Sequence, residues 1–378
     1  MAAALMVPLV CACATAPAPI KVEAPVAATQ DAVLPYYGSY STDHGDIIVI
    51  ARLGWFADLQ DGTYRTLYAS GEAGHFTIGQ GFEKPLPKFA DLVFHSAELQ
   101  ISAGTQRRAA HRIAYRQTDV TIPAAGAQLV GTITEPPGAG PHRGIVIVHG
   151  AERGQRFFYD FWVGLYASLG MAVLTYDKRG NGASTGTYPG EFPTEDALRI
   201  YAGDAASARD FLARWPGVDP TRVGFHGGSQ GGWTVPLAMQ THPGAAFAVL
   251  ASAPATTVDQ TDLWASFSGN GASMPSETTD EMLTAVRANH SGYDPAPALR
   301  ALSGPALWLL GSNDRTVPMA VCVEILTAMH KANFTVQPLP TGHGLLVNPT
   351  GLDADDRKSP GLAPQLVPAI RDWVSRLA

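Results

Sequence analysis

The chain has 378 residues, 46% of them hydrophobic and 16% charged, with a formal net charge of −7. That balance excludes a disordered chain and gives no basic footprint for nucleic acid, and the length suits one large domain with a smaller companion. No uninterrupted apolar run reaches the roughly 18 residues that a membrane-spanning helix needs.

Residues 1–13 are apolar and small, and 15–35 are rich in Ala and Pro. This is the pattern of an export signal followed by a linker, so 1–35 is set apart as a leader. Val10-Cys11-Ala12-Cys13 resembles a bacterial lipoprotein cleavage site, with Cys13 as the lipidated residue. The expectation is an exported protein, periplasmic or anchored to the outer membrane through Cys13. Cys322 is then the one cysteine outside the leader, which leaves no Cys-based metal site; it falls in a helical pattern and reads as a small buried hydrophobe.

From 36 to 116 the chain shows short period-two runs at 46–53, 64–69, 75–78 and 92–101, separated by turn signals such as Asp61-Gly62 and Gly71-Glu72-Ala73-Gly74. No long amphipathic helix interrupts them, so a small antiparallel β domain is expected. His44, Asp46, His75, His95 and His111 lie here at separations that match no metal-ligand spacing. The pattern alone leaves three roles open for this unit: shielding an active site, association, or added stability.

The character changes at 117. An antiparallel entry pair (119–123, 129–135) leads into continuous apolar runs at 144–148, 172–176, 223–226, 246–251, 306–310 and 334–339, alternating with helical patterns. Continuous apolar strands between helices imply a mostly parallel sheet covered on both faces, with functional residues at the carboxyl ends of the strands. Residues 253–303 show no clear pattern and would form a small cap.

Three strand ends carry chemistry. Gly227-Gly228-Ser229-Gln230-Gly231 follows a buried strand and opens a helix, which makes a tight elbow presenting the Ser229 hydroxyl from strained backbone. Asp314 follows the run at 306–310, and His343, flanked by glycines, follows the run at 334–339. A serine hydroxyl is barely nucleophilic at neutral pH; His343 would take its proton, and Asp314 would fix the imidazole tautomer. A developing oxyanion needs backbone N–H donors, each worth about 3 kcal/mol. Gln230, after the nucleophile, and Ala151, in the loop at 149–154, are the expected pair. Asp314 could also cap the helix after it, Asp259, Asp262 and Asp294 are rival acids that follow no strand, and His290 and His330 are rival bases outside strand-end loops. His226 reads as a strand histidine beneath the site.

With His149-Gly150, the turn Asp177-Lys178-Arg179-Gly180-Asn181-Gly182-Ala183-Ser184, the elbow and Gly342-His343-Gly344, the chain from 117 to 378 resembles a serine α/β-hydrolase, similar to the dienelactone-hydrolase and prolyl-oligopeptidase-like esterase branch. The order Ser229, Asp314, His343 fits. The resemblance implies an α/β-hydrolase fold and cleavage of carboxylic esters through an acyl-enzyme, with no metal or organic cofactor and a small-molecule ester as partner. Trp233, Trp264 and Phe267 are expected to line the acyl site. A serine peptidase acting on short peptides, and a non-catalytic hydrolase scaffold, stand as alternatives.

Overall fold

The computed structural model describes residues 25–274 and 280–377; the expected export signal and the lipidated Cys13 lie outside them. After a turn of helix, α1 (Gln30–Val33), come nine strands: β1 (Gly38–Thr42), β2 (Ile47–Ala51), β3 (Trp55–Asp58), β4 (Tyr64–Thr66), β5 (Tyr68–Ala69), β6 (His75–Gly81), β7 (Lys84–His95), β8 (Glu98–Ala103) and β9 (Gln106–Arg112). They form one sheet in the order β4-β3-β2-β1-β9-β8-β7-β6-β5, with antiparallel pairing throughout. Its two ends are consecutive in the chain. The Thr66 N–H donates to the Phe82 carbonyl at 2.7 Å and Arg65 Nε to the Gly79 carbonyl at 3.1 Å, so the sheet curls into a nearly closed barrel.

Every second residue fills the barrel: Tyr40, Ile48, Ile50, Phe56, Phe76, Ile78, Leu92, Phe94, Leu99 and Ile101 share one core. Val33 is packed there too, and Ala27 bridges to Tyr68, so the chain read as linker up to residue 35 is already attached to the barrel from Ala27 on. The run expected as one strand at 92–101 is a hairpin, turned at Ser96 with φ 56°. β2 reads as an unbroken apolar run because both its faces are covered. Ile48 and Ile50 point into the barrel, whereas Val49, with Ala57 and Leu59, joins the core of the second domain.

That domain opens with the antiparallel pair β10 (Arg116–Ala124) and β11 (Ala127–Glu135). There follow β12 (His142–Val148), α2 (Asp160–Ser168), β13 (Met171–Tyr176), α3 (Glu195–Ala213), β14 (Val218–Gly228), α4 (Gly231–Thr241), β15 (Ala248–Ala251), α5 (Val258–Ser268), α6 (Asp280–Ala288), α7 (Ala296–Ala301), β16 (Ala306–Gly311), α8 (Met319–Ala328), β17 (Phe334–Leu339), α9 (Asp353–Asp356) and α10 (Leu366–Ser375). The sheet order is β10-β11-β13-β12-β14-β15-β16-β17, with β12 to β17 parallel. α3, α4 and α8 bury one face, while α2, α10 and the barrel bury the other. The stretch expected to be irregular at 253–303 holds three helices; a capping box, Thr257 with Gln260, starts the first.

The barrel and the second sheet meet over α2. Asp160, its first residue, accepts from the Arg52 backbone N–H at 2.8 Å and from Arg52 Nη2 at 2.6 Å. Gly164 lies so close to β2 that a Cβ there would stand 2.4 Å from Val49 Cγ2. Replacing Arg52 by Ala would leave the mostly buried Asp160 carboxylate unpaired and cost about 2 kcal/mol or more, discounted for partial exposure of the pair. Chemical denaturation should show that loss for Arg52→Ala and a much smaller one for Arg52→Ala combined with Asp160→Asn.

Candidate active site

β14 ends at Gly228, and α4 begins at Gly231. Between them Ser229 takes φ 48°, the left-handed region that a side chain rarely adopts. Close approach of helix to strand imposes this conformation. A Cβ on Gly227 would stand 2.8 Å from Val235 Cγ2 and 3.2 Å from Gly231 Cα. Gly231 itself has room, its nearest contact being 3.9 Å away, whereas a Cβ on Gly232 would meet the Pro254 carbonyl oxygen at 2.4 Å. The tightest glycine thus lies one residue beyond the Gly-x-Ser-x-Gly pattern.

Ser229 Oγ lies 3.1 Å from His343 Nε2, and His343 Nδ1 lies 2.8 Å from Asp314 Oδ2. A carboxylate can only accept, so Nδ1 carries the proton and Nε2 presents its lone pair to the serine hydroxyl. The other Asp314 oxygen accepts the N–H groups of Thr316 and Val317, each at 2.8 Å. Both roles read for Asp314, partner of histidine and cap of the turn before α8, are held by one buried carboxylate. The Ser252 hydroxyl donates to the His343 carbonyl at 2.7 Å and fixes the histidine loop. Burial pulls the His343 imidazole down, but the Asp314 charge and hydrogen bond, with Asp356 and Asp353 behind them, outweigh it and raise its pKa above 6.5.

Gln230 is the N-cap of α4, so its N–H is one of the first-turn amides that no helix carbonyl can satisfy. The loop after β12 packs against Ser229: a Cβ on Gly150 would sit 3.5 Å from Ser229 Cβ. His149 is buried beneath this loop and holds the Tyr176 carbonyl at 2.5 Å through Nε2. Tyr159 donates to Glu152 and accepts from the Gly150 N–H at 3.3 Å. The Glu152 carboxyl is held down at about 2: burial opposes ionisation, but His149, Tyr159 and Lys178 outweigh it.

A cavity of about 560 Å³ opens beside Ser229 and His343, walled by Phe158, Tyr159, Trp162 and Leu345 from the hydrolase and by Leu53 and Trp55 from the barrel. Its floor includes His226, which burial pushes down to about 3 and so keeps neutral, bonded through Nδ1 to Tyr166 at 3.0 Å. The side chains expected to line it do other work. Trp233 is buried in the core, its Nε1 donating to the Thr256 carbonyl at 2.8 Å. Trp264 donates to the Asp314 carbonyl at 3.1 Å and steadies the acid loop, and Phe267 is not among the lining residues. None of the described residues of 253–303 lines this cavity, and α6 is tied instead to α8 through Arg287 and Glu324. The barrel takes the place of the cap. Leu53 and Trp55 escape sequence reading because the contact joins a short turn to a loop more than a hundred positions later. Cys322 is buried, as its helical pattern implies, with its thiol pushed up to about 11. Among the described residues no group of His, Cys, Asp and Glu is arranged to hold a metal ion.

The mixed sheet with its strand-end loops is the α/β-hydrolase fold. The family model described as the prolyl oligopeptidase family matches residues 158–341, a span that contains Ser229 and Asp314 and stops just before His343. Among solved structures, an esterase of Pyrococcus furiosus, Pf2001, superposes with a TM-score of 0.50 at 14% identity, covering 70% of this chain and 92% of that one. A second crystal form of it gives 0.50 at 16% identity, covering 70% and 93%. An acylaminoacyl peptidase of Pyrococcus horikoshii gives 0.48 at 15% identity, covering 85% and 54%. No functionally curated protein matches the chain in sequence. Family match and fold are both consistent with a serine α/β-hydrolase.

Two outcomes follow for this site. As a base His343 would act only when neutral, and its pKa is raised, so kcat/KM should begin to fall on the acid side above pH 6.5. Asp356→Asn should move that limb to lower pH, measured as a pH–rate profile. Gly232→Ala should destabilise the protein by about 2 kcal/mol in urea denaturation, and Gly231→Ala by clearly less.

Proposed function

We propose that this serine hydrolase cleaves carboxylic esters whose acyl part is apolar and large enough to reach aromatic side chains. The hydrogen-bonded line Asp314–His343–Ser229 at the mouth of an aromatic cavity carries the reading. Ser229 Oγ adds to the ester carbonyl carbon as His343 Nε2 takes its proton. The carbonyl oxygen becomes an oxyanion held by the N–H groups of Gln230 and Ala151. Collapse breaks the bond to the alcohol oxygen, which leaves with the proton from His343. Water, deprotonated by the same imidazole, then adds to the acyl-enzyme, and the carboxylic acid departs as Ser229 regains its proton.

One observation favours peptide substrates as a second reading. Glu152 carries a partly exposed carboxylate in the wall of the cavity, where it could receive the amino group of a short peptide.

Turnover of p-nitrophenyl acetate, octanoate and benzoate, set against peptide p-nitroanilides, decides between them. The ester reading expects faster ester turnover, abolished in Ser229→Ala and reduced about a thousandfold or more in Asp314→Asn. Anilide turnover exceeding ester turnover, and falling in Glu152→Gln, would favour the peptidase. Trp55→Ala should raise KM for octanoate and benzoate esters about tenfold while leaving acetate nearly unchanged.

A further inference from the structure

The turn after β13 contains a buried cation that the triad does not use. In Asp177-Lys178-Arg179-Gly180 the flanking charges have structural partners. Asp177 receives the Arg156 backbone N–H at 2.9 Å, Arg156 Nη1 at 2.7 Å and the Ala183 N–H at 2.9 Å. Arg179 pairs with Asp204 of α3, with Nε 2.9 Å from Oδ2. Lys178 lies between them, only 2% exposed, and turns the other way. Its Nζ donates to the carbonyls of Gly150 at 2.7 Å, Glu152 at 3.2 Å and Ala151 at 3.4 Å, and to Gln230 Oε1 at 3.3 Å. The ring of Tyr201 lies 4.3 Å away and that of Tyr188 5.7 Å. Its polar contacts therefore fall on the two segments that flank the oxyanion position.

Peptide geometry gives this grip a direction. In a trans peptide the C=O of one residue and the N–H of the next point to opposite sides. Lys178 draws the Gly150 carbonyl toward itself, so the Ala151 N–H is turned away from Lys178. Gly150 of the same loop packs on Ser229, where a Cβ on it would stand 3.5 Å from Ser229 Cβ. The Gly150 N–H is already given to Tyr159, which leaves Ala151 as the neighbouring donor.

We propose that Lys178 is the positioning residue of the oxyanion hole, its ammonium holding the carbonyls of 150–152 and the Gln230 side chain so that the N–H groups of Ala151 and Gln230 converge above Ser229. This rests on the reading of Ser229 as nucleophile. Without the ammonium, the carbonyls of 150–152 lose their shared donor, the Ala151 carbonyl keeping only the Tyr188 hydroxyl, and the loop is free to turn its amides away. Charge is part of the device, because an ammonium beneath the hole also favours negative charge developing above it.

The groups around Lys178 are Glu152 of the loop, Tyr188 and Glu191 of the following turn, Gln230 of the elbow and Tyr201 of α3; behind them His149 faces Glu152, and Arg153 faces Glu191 and Tyr188. Burial lowers its pKa to about 8, against the opposing pull of Glu152 and Glu191. The cation is then present at neutral pH and lost above about pH 8.

The test uses the full-length protein with p-nitrophenyl butyrate as substrate and phenylboronic acid as a tetrahedral adduct former. Lys178→Met should lower kcat about 10- to 100-fold with KM within about threefold, and should weaken boronate inhibition by a similar factor. Wild-type kcat should fall above about pH 8; that limb should be absent in Lys178→Met and displaced upward in Lys178→Arg, which keeps its charge. Should Lys178→Met fail to fold, Lys178→Arg and the wild-type profile still decide. A wild-type kcat that is flat from pH 7 to 9.5, or Lys178→Met with unchanged kcat and boronate affinity, would overturn the proposal. Ester turnover surviving in Ser229→Ala would overturn the nucleophile assignment as well, whereas an inactive Ser229→Ala beside an unimpaired Lys178→Met would sink the Lys178 proposal alone.

Discussion

Much of the molecule follows from holding one residue in the left-handed region. Ser229 at φ 48° is costly backbone, on the order of 1–3 kcal/mol, and it persists because helix and strand are pressed together on either side of it. That pressure needs Gly227 against Val235 and Gly232 against Pro254. Pro254 in turn belongs to the segment after β15, where Ser252 also takes a left-handed φ, 47°, and reaches the histidine loop. Strain at Ser229 is thus braced by the element that also holds the His343 loop.

The chemistry was more legible in the sequence than its surroundings. A candidate triad member needs only a residue type at the end of an apolar run, and Ser229, Asp314 and His343, which stand in one hydrogen-bonded line, are each legible so. The parallel strands of the hydrolase sheet are read for the same reason, as buried runs without alternation. The barrel is harder. β9 is Gln-Arg-Arg-Ala-Ala-His-Arg and gives only Ala110 to the interior, so no row of large apolar residues marks it as a strand. β1 and β3 are short and carry one large interior side chain each, Tyr40 and Phe56.

The cavity walls were misread for a different reason. Trp233, Trp264 and Phe267 are large apolar residues close in sequence to the elbow or the expected cap, but proximity in sequence does not say which side of a sheet a ring will face. Trp264 ends behind the acid and Trp233 inside the helix layer. Trp55, more than 170 positions before Ser229, forms the wall because Arg52 is anchored on Asp160 and its ring is backed by Tyr64 and Phe82 at about 6 Å. The turn motif at 177–184 shows a similar split. Asp177 and Arg179 are spent on architecture, and the position between them, which the motif leaves free, is the one that reaches the oxyanion loop.

β2 has a consequence for how such a protein can change. Its alternate residues belong to two different cores, Ile48 and Ile50 to the barrel and Val49 to the hydrolase. A single inserted residue in this strand would exchange the two sets at once, because side chains alternate with a period of two. The barrel and the hydrolase are therefore inherited as a matched pair at this seam. Just beyond the seam, Leu53 of the turn and Trp55 at the head of β3 carry the barrel's share of the cavity wall, so the strand that joins the two cores also fixes what faces Ser229.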